Sequence, residues 1–367
     1  MKAILLKPHT TELRLANVTE PQITRSDEIK MQILEVGICG TDREQAAGGR
    51  ADAPEGKELL VIGHEMFGRV IAVGEDVTSA AVGDYGMFTV RRSCGQCLPC
   101  LNYRNDMCST SRYTERGIKG ADGFQSQFVV DSQTYFIGIP ETLKAVGVLT
   151  EPMSVAAKAI DEAMIIQGAR LNSFTPGTNW LQDKKAIIAG LGPIGLMAAF
   201  ALRLRGTKVV GVDIVDEDTL RPQLLKQIGG IYVDGRKVKT TDLDEVCGEA
   251  DFVFEATGIA KLQIELLDSL AVNGIYVATG IPVGHRPMTI QAGDLMRQLV
   301  LKNQILLGSV NASIIHYKMA VEYLQASVKR WPGVLEQVIT DRIPYIRFEQ
   351  LLEQHSTNEI KVVVDWS

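Results

Sequence analysis

Short apolar runs alternate with polar turns through the first part of the chain, at Glu28 to Val36, Gly68 to Val73 and Gln127 to Val130. Their lengths and turn-rich separators predict a largely antiparallel, β-rich fold. The pattern changes near residue 150. Glu151 to Ala163 carries helical patterning, and apolar runs follow it at Ala186 to Ala189, Val209 to Val212, Phe252 to Phe254, Ile275 to Ala278 and Ile305 to Leu307. Several of these are separated by helix-length segments, the alternation that builds a doubly wound parallel sheet. The predicted class is therefore α/β, with a mostly β region first and a boundary near residue 150. Between the helix and the first parallel strand, Gly168 to Lys185 reads as a polar, turn-prone connection.

Length supports division, since 367 residues exceed the roughly 250 to 300 at which one core stops growing. The chain is 46% hydrophobic and 22% charged, an ordinary globular balance with apolar surface for two cores. A net charge of −6 argues against a basic nucleic-acid face, so no nucleic acid partner is expected. The longest charge-free stretch, Ala186 to Leu202, holds Gly190, Gly192, Pro193 and Gly195 and is shorter than the roughly 20 residues of a membrane span. Met1-Lys2-Ala3-Ile4 opens no extended apolar leader, and polar residues arrive by Lys7. The expectation is a cytoplasmic protein without a membrane partner.

Four of the six cysteines, Cys94, Cys97, Cys100 and Cys108, fall in one segment with spacing C-x2-C-x2-C-x7-C. In a reducing compartment such clustering points to metal more than to disulfides. Gly95 and Pro99 allow a compact loop to aim four thiolates at one tetrahedral ion, for which zinc is the expected occupant. An iron–sulfur cluster is the competitor, but ferredoxin-like runs continue with C-x3-C-P, whereas Ser109 follows Cys108. A closed four-sulfur site contributes folding energy and leaves no position for substrate.

Gly190-Leu191-Gly192-Pro193-Ile194-Gly195 lies between the apolar run ending at Ala189 and the helix-like Leu196 to Leu204. That context converts a weak G-x-G-x-x-G match into a dinucleotide signature. Gly190 makes the tight turn, Gly192 admits a pyrophosphate, Gly195 lets helix approach strand, and the helix N-terminus binds the anion. Asp213 ends the next apolar run 18 residues after Gly195, where a carboxylate hydrogen-bonds the ribose hydroxyls. Asp216, Glu217 and Asp218 are close in sequence, and no arginine or lysine occurs between Gly211 and Leu220. The cofactor expectation is NAD, with NADP possible.

Cys39-Gly40-Thr41-Asp42, Gly63-His64-Glu65 and Glu151-Pro152 offer one soft, one imidazole and one carboxylate ligand. Three protein ligands leave a fourth zinc position for water or substrate. Taken singly, Cys39 is as readily a small buried hydrophobe, His64 a satisfied core histidine, and Glu151 a solvated acid at a helix start. Their occurrence beside a dinucleotide motif and a four-cysteine loop joins them.

These segments, together with Val90-Arg91-Arg92-Ser93-Cys94, Glu115-Arg116-Gly117-Ile118 and Gly308-Ser309-Val310-Asn311, make the whole chain resemble the zinc-containing medium-chain dehydrogenase/reductase superfamily, and within it the glucose (aldose) 1-dehydrogenases. The resemblance implies a GroES-like catalytic domain over residues 1–153, a Rossmann domain over 154–310, and a return of 311–367 to the catalytic domain, with the active site in the cleft between. It implies two zinc ions per chain. Cys39, His64 and Glu151 would hold the catalytic one, with Glu65 adjacent or exchanging, and the two acids are not ranked. Thr41 would relay the released proton. Thr257 and Asn311 join the glycine segment and Asp213 as cofactor contacts, and Glu115 and Asn311 would meet sugar hydroxyls. Val90, Val155 and Leu301 stand where some glucose enzymes present polar groups, so the implied substrate is a sugar or polyol, not glucose specifically. Alternatives are a zinc alcohol or polyol dehydrogenase of the sorbitol, threonine or cyclitol type, a zinc-free reductase, and a non-enzymatic dinucleotide-binding protein. A homodimer or homotetramer is implied, with Gln304 to Gly308 at the pairing edge.

Overall fold

The computed structural model describes residues 1–171, 179–282, 287–349, 356 and 358–367. It divides into two compact units: residues 1–154, 311–325 and 335–367 form one, and 155–310 with 326–334 form the other.

The first unit is built on a seven-stranded sheet whose path runs Phe136–Gly138, Tyr85–Phe88, Glu65–Val73, Glu28–Ile38, Lys361–Asp365, Ile339–Pro344, with Phe128–Ser132 also pairing with Glu28–Ile38. The pairings are antiparallel except for Lys361–Asp365 with Ile339–Pro344, which is parallel. The expected strands are present, and Glu28–Ile38 is the hub, pairing with Glu65–Val73, Phe128–Ser132 and Lys361–Asp365. Sandwiched on both edges, it is buried along most of its length. Its first six residues alternate polar and apolar, and Glu28 and Lys30 are buried because each has partners, Glu28 accepting from the Thr24 and Arg25 N–H groups and Lys30 Nζ donating to Glu20.

The second unit holds a six-stranded sheet in the order Ile231–Asp234, Lys208–Asp213, Lys185–Ala189, Ala250–Glu255, Leu270–Ala278, Ile305–Gly308, parallel throughout. The order reverses direction between Lys185–Ala189 and Ala250–Glu255. That is the switch point where doubly wound sheets bind ligands beyond their strand C-termini. Ile187, Val210, Val253, Leu266 and Tyr276 are core members packed on this sheet.

Two expectations are corrected. The helix Thr150–Arg170 does not stop before Gly168. Its last turn is tied to the rest of the unit by Gln167 Nε2 donating to the Asn273 carbonyl (2.7 Å) and Arg170 Nη2 donating to the Asn303 carbonyl, contacts that outweigh the cost of Gly168 in the helix. Residues 172–178 of the expected connection lie outside the described residues. The strand Ile231–Asp234 was not foreseen. It is a four-residue edge strand with Ile231 exposed, too short and too polar to give an apolar run. Among the described residues, no helix is long and apolar enough to cross a membrane.

Candidate active site

Cys39 follows the hub strand directly and caps the helix Gly40–Ala46. Its extended backbone lets Sγ accept from the Thr41 N–H (3.2 Å), while Asp42 Oδ2 accepts from the Cys39 N–H (2.9 Å). This reciprocal cap fixes the thiol in a defined direction. His64 follows Gly63, whose φ of +87° is a left-handed conformation costly for other residues. The turn brings His64 Nε2 to 3.2 Å from Cys39 Sγ. The other ring nitrogen, Nδ1, faces Asp42 Oδ1 at 3.7 Å. Asp42 is fully buried and was read from sequence only as part of the motif; a carboxylate behind a histidine is the usual device for holding a ligand imidazole in one tautomer.

Ligand atoms of Cys39, His64 and Glu65 lie within 4.8 Å of one another. Glu65 is also engaged elsewhere, because Lys361 Nζ donates to its Oε1 at 2.8 Å and its Oε2 at 2.6 Å, and to the Ile38 carbonyl at 3.1 Å. Lys361 and Glu65 are each about 1% exposed. Gly37 leaves the space for this carboxylate, since a Cβ there would fall 2.1 Å from Glu65 Oε2. Glu151, at the start of Thr150–Arg170, is buried too, and burial followed by the charge of Glu65 pushes its carboxyl up to about 7. It does not belong to the 4.8 Å group. Desolvation would lower the His64 pKa, but Cys39 and Asp42 outweigh it and hold the imidazole well above its ordinary value. A thiol, an imidazole and two acids in one buried pocket form a borderline-soft donor set suited to zinc. Thr41 sits half-buried in the first helical turn beside Cys39.

The sulfurs of Cys94, Cys97, Cys100 and Cys108 also lie within 4.8 Å of one another. Cys94 to Cys97 is 3.5 Å and Cys97 to Cys108 is 3.9 Å. Four thiolates about 2.3 Å from one tetrahedral ion stand about 3.8 Å apart. These separations fit one ion and exclude disulfides, and all six cysteines are unpaired.

In the same unit, Glu115 and Asn311 meet directly, with Asn311 Nδ2 donating to Glu115 Oε1 at 2.8 Å. Val90 is buried, whereas Leu301 is an exposed residue of the helix Ala292–Leu301 and Val155 is half-buried.

In the second unit, Gly192 caps the helix Pro193–Leu204 without a side-chain hydrogen bond, so first-turn N–H groups remain for an anion. A Cβ on Gly192 would meet nothing within 4 Å, whereas one on Gly195 would lie 1.8 Å from the Gly190 carbonyl oxygen. Leu191 and Ile194 complete the turn. Asp213 Oδ2 accepts from the Leu191 N–H (2.8 Å), which holds the carboxylate against the glycine turn. Arg221 Nη1 stands 3.5 Å from Asp213, and Arg236 bonds Asp234 and Asp216. Neither arginine stands out in the sequence, since Arg221 follows the Gly211 to Leu220 stretch and Arg236 comes just after the short edge strand Ile231–Asp234. Thr257 uses its hydroxyl on Glu255 Oε1 (2.6 Å), which also takes the Thr257 and Gly258 N–H groups. Fully buried Glu255 thus shapes the loop at the switch point, a role with no sequence signal.

A family model described as "Glucose dehydrogenase C-terminus" matches residues 144–366, and one described as "Alcohol dehydrogenase GroES-like domain" matches 25–141. Glucose 1-dehydrogenase 2 of Vulcanisaeta moutnovskia is 36% identical, covering 100% of this chain and 99% of that protein. A glucose 1-dehydrogenase of Methanocella arvoryzae is 32% identical with the same coverage. Among solved structures, Haloferax mediterranei glucose dehydrogenase in complex with NADP, Zn and gluconolactone superposes with a TM-score of 0.88 at 30% identity, covering 100% of this chain and 99% of that one. Galactitol-1-phosphate dehydrogenase of Escherichia coli, at 21% identity and a TM-score of 0.80, shares the fold. With its two unit sheets, its paired cysteine sites and full-length matches of this kind, the chain belongs to the glucose-dehydrogenase branch of the zinc-containing medium-chain dehydrogenase/reductases.

Proposed function

We propose that this protein oxidises a hydroxyl of an aldose or closely related polyol and passes the hydride to a nicotinamide dinucleotide, using one zinc ion for chemistry and a second for structure. The observation that carries the proposal is the buried convergence of Cys39, His64 and Glu65 in a chain that matches glucose 1-dehydrogenases over its whole length. Cys39 and His64 hold the catalytic ion. Glu151 is the better third ligand, because both Glu65 oxygens already accept from Lys361 Nζ. When bound, zinc supplies Lewis acidity toward a substrate hydroxyl, and the nicotinamide accepts hydride. Asp42 orients His64, Thr41 takes the hydroxyl proton toward solvent, and Glu115 with Asn311 aligns the ring through its other hydroxyls. The four-cysteine site pins its own lobe.

The glycine turn and the first turn of Pro193–Leu204 hold the pyrophosphate. Asp213 favours a ribose with both hydroxyls free, while Arg221 and Arg236 stand ready to accept a 2′-phosphate once released from their carboxylate partners. The protein therefore uses NAD and tolerates NADP. The sheet-edge strand Ile305–Gly308, with Leu306 half exposed, pairs two copies into a dimer; a monomer in light scattering would remove that part of the proposal.

The test is the initial rate of NAD and NADP reduction across aldoses, polyols, cyclitols and simple alcohols, before and after zinc chelation. Chelator-sensitive turnover with an aldose is expected. Preference for a polyol or cyclitol would move the substrate class, and turnover indifferent to metal would overturn the role of Cys39 and His64.

A further inference from the structure

Glu115 would read a sugar hydroxyl only if its carboxylate were held still, and three donors do so on one oxygen. Arg91 Nε (3.0 Å), Arg91 Nη2 (2.8 Å) and Asn311 Nδ2 (2.8 Å) all point to Glu115 Oε1. Among the described residues, none of these donors is spent on Oε2, which stays available as an acceptor. The guanidinium is itself fixed on every side. Its remaining nitrogen, Nη1, donates to the Asp106 carbonyl at 2.7 Å, its Cζ lies 3.8 Å from the centroid of the Tyr113 ring, and Asn105 Nδ2 donates to the Arg91 carbonyl. Arg91, Asn105, Asp106 and Glu115 are all below a tenth exposed. Asn105 and Asp106 belong to the short turn Asn105–Met107, between Cys100 and Cys108. The strands Arg91–Arg92 and Thr114–Arg116 pair Arg91 directly with Glu115.

We propose that Arg91 is a positioning residue for sugar recognition, and that through its hold on the turn at 105–107 it transmits the order of the four-cysteine lobe to the Glu115 carboxylate. The proposal rests on the assignment of Glu115 to a sugar hydroxyl. A planar fork is required, since it spans two groups at once; an ammonium is a point donor and cannot replace it. The lobe then has a second task beyond stability, because a shift of the 105–107 backbone moves the guanidinium and with it the acceptor that discriminates among sugars.

Three variants test this with the best aldose substrate and its monodeoxy analogues: Glu115→Gln, Arg91→Lys and Asn105→Ala, each first shown to unfold cooperatively. In the native protein one deoxy position is expected to carry a large loss of kcat/KM. Glu115→Gln identifies the hydroxyl it reads by abolishing that loss. Arg91→Lys and Asn105→Ala are expected to raise KM for the parent sugar more than they lower kcat, and to cut discrimination at the same hydroxyl by about tenfold, the scale of one misaligned charged hydrogen bond. Sugar binding followed by intrinsic fluorescence in the absence of turnover should weaken in parallel. If Glu115→Gln alone loses discrimination while Arg91→Lys and Asn105→Ala keep it, the positioning role is wrong and the assignment of Glu115 stands. If Glu115→Gln changes nothing, that assignment itself falls. Equal losses across all analogues would mark Arg91 as merely structural. Should Arg91→Lys not fold, Tyr113→Leu, which loosens the guanidinium from its half-buried ring, is read by the same criteria.

Discussion

At the scale of single residues, charge burial sets the sharpest constraints. Lys361 and Glu65 are nearly inaccessible and neutralise each other. Removing one partner leaves the other charged in a low-dielectric site, a penalty of about 3 to 5 kcal/mol. Lys361→Met should lower the free energy of unfolding by that order in urea titrations, and the double variant with Glu65→Gln should recover much of it. A double variant no better than the single one would mean that packing, and not the ion pair, matters there. Asp131 gives the corresponding pH statement. Burial raises its pKa, but Arg116 and Arg92 overcome that and hold the carboxyl at about 2, below its ordinary 3.8. The shift is worth about 2 kcal/mol. Because the folded pKa is the lower one, this stability is complete above about pH 4 to 5 and is lost as pH falls toward 2. Asp131→Asn should therefore be less stable than the native protein at neutral pH, with the gap in denaturation midpoints closing in acid. A gap independent of pH would count against the triad. Cys39 and His64 stand in local motifs of the sequence, whereas Glu115 is marked there only by the family resemblance. Lys361 was not legible, since it joins Glu65 from almost 300 residues away (296) across a sheet.

At the scale of elements, the close contact of turn and helix in the nucleotide-binding half is the most demanding feature. Gly195→Ala would place a Cβ 1.8 Å from the Gly190 carbonyl, so the helix Pro193–Leu204 must move away from its strand. Dinucleotide affinity should fall by an order of magnitude or about that, with some loss of stability, because the first-turn N–H groups no longer converge. Isothermal titration with NAD checks this, and native affinity would show that the turn has slack. The four-cysteine lobe behaves differently. Its secondary structure amounts to the single turns Leu98–Leu101 and Asn105–Met107, too little to hold a shape alone, so an ion held by the four sulfurs would be its core. Cys97→Ser should lower Tm by several degrees and reduce bound zinc by one per chain, and unchanged stability would remove the structural role. Five of the six parallel strands were legible as apolar runs. The sixth, Ile231–Asp234, was not, because an edge strand needs no continuous apolar face and its pairing with Lys208–Asp213 supplies the order that its own residues lack. The same reason hid Arg236, which the turn after that strand brings toward Asp216.

At the scale of the whole molecule, the first unit is discontinuous in sequence, and its sheet depends on a segment that arrives last. Lys361–Asp365 is an interior strand, antiparallel to Glu28–Ile38 on one side and parallel to Ile339–Pro344 on the other. Its residues Val362, Val363 and Val364 are buried, and Trp366 beyond it donates through Nε1 to the buried Gln125 side chain at 2.9 Å. A chain ending at residue 358 would expose both neighbouring strand edges, open the core around those valines and strip Glu65 of its only ammonium partner among the described contacts. The parallel sheet of the second unit takes no strand from this segment. Hydrogen exchange should therefore show protection lost across 28–38 and 65–73 in the truncated chain, while 185–189 and 250–255 remain protected, and the catalytic metal should be lost with the first set. Uniform loss over both sheets would mean that the two units fold as one cooperative block. Retained protection at 28–38 would mean that the hub strand is stabilised by Glu65–Val73 and Phe128–Ser132 alone, and that the returning strand serves the site through Lys361 without being needed for the sheet.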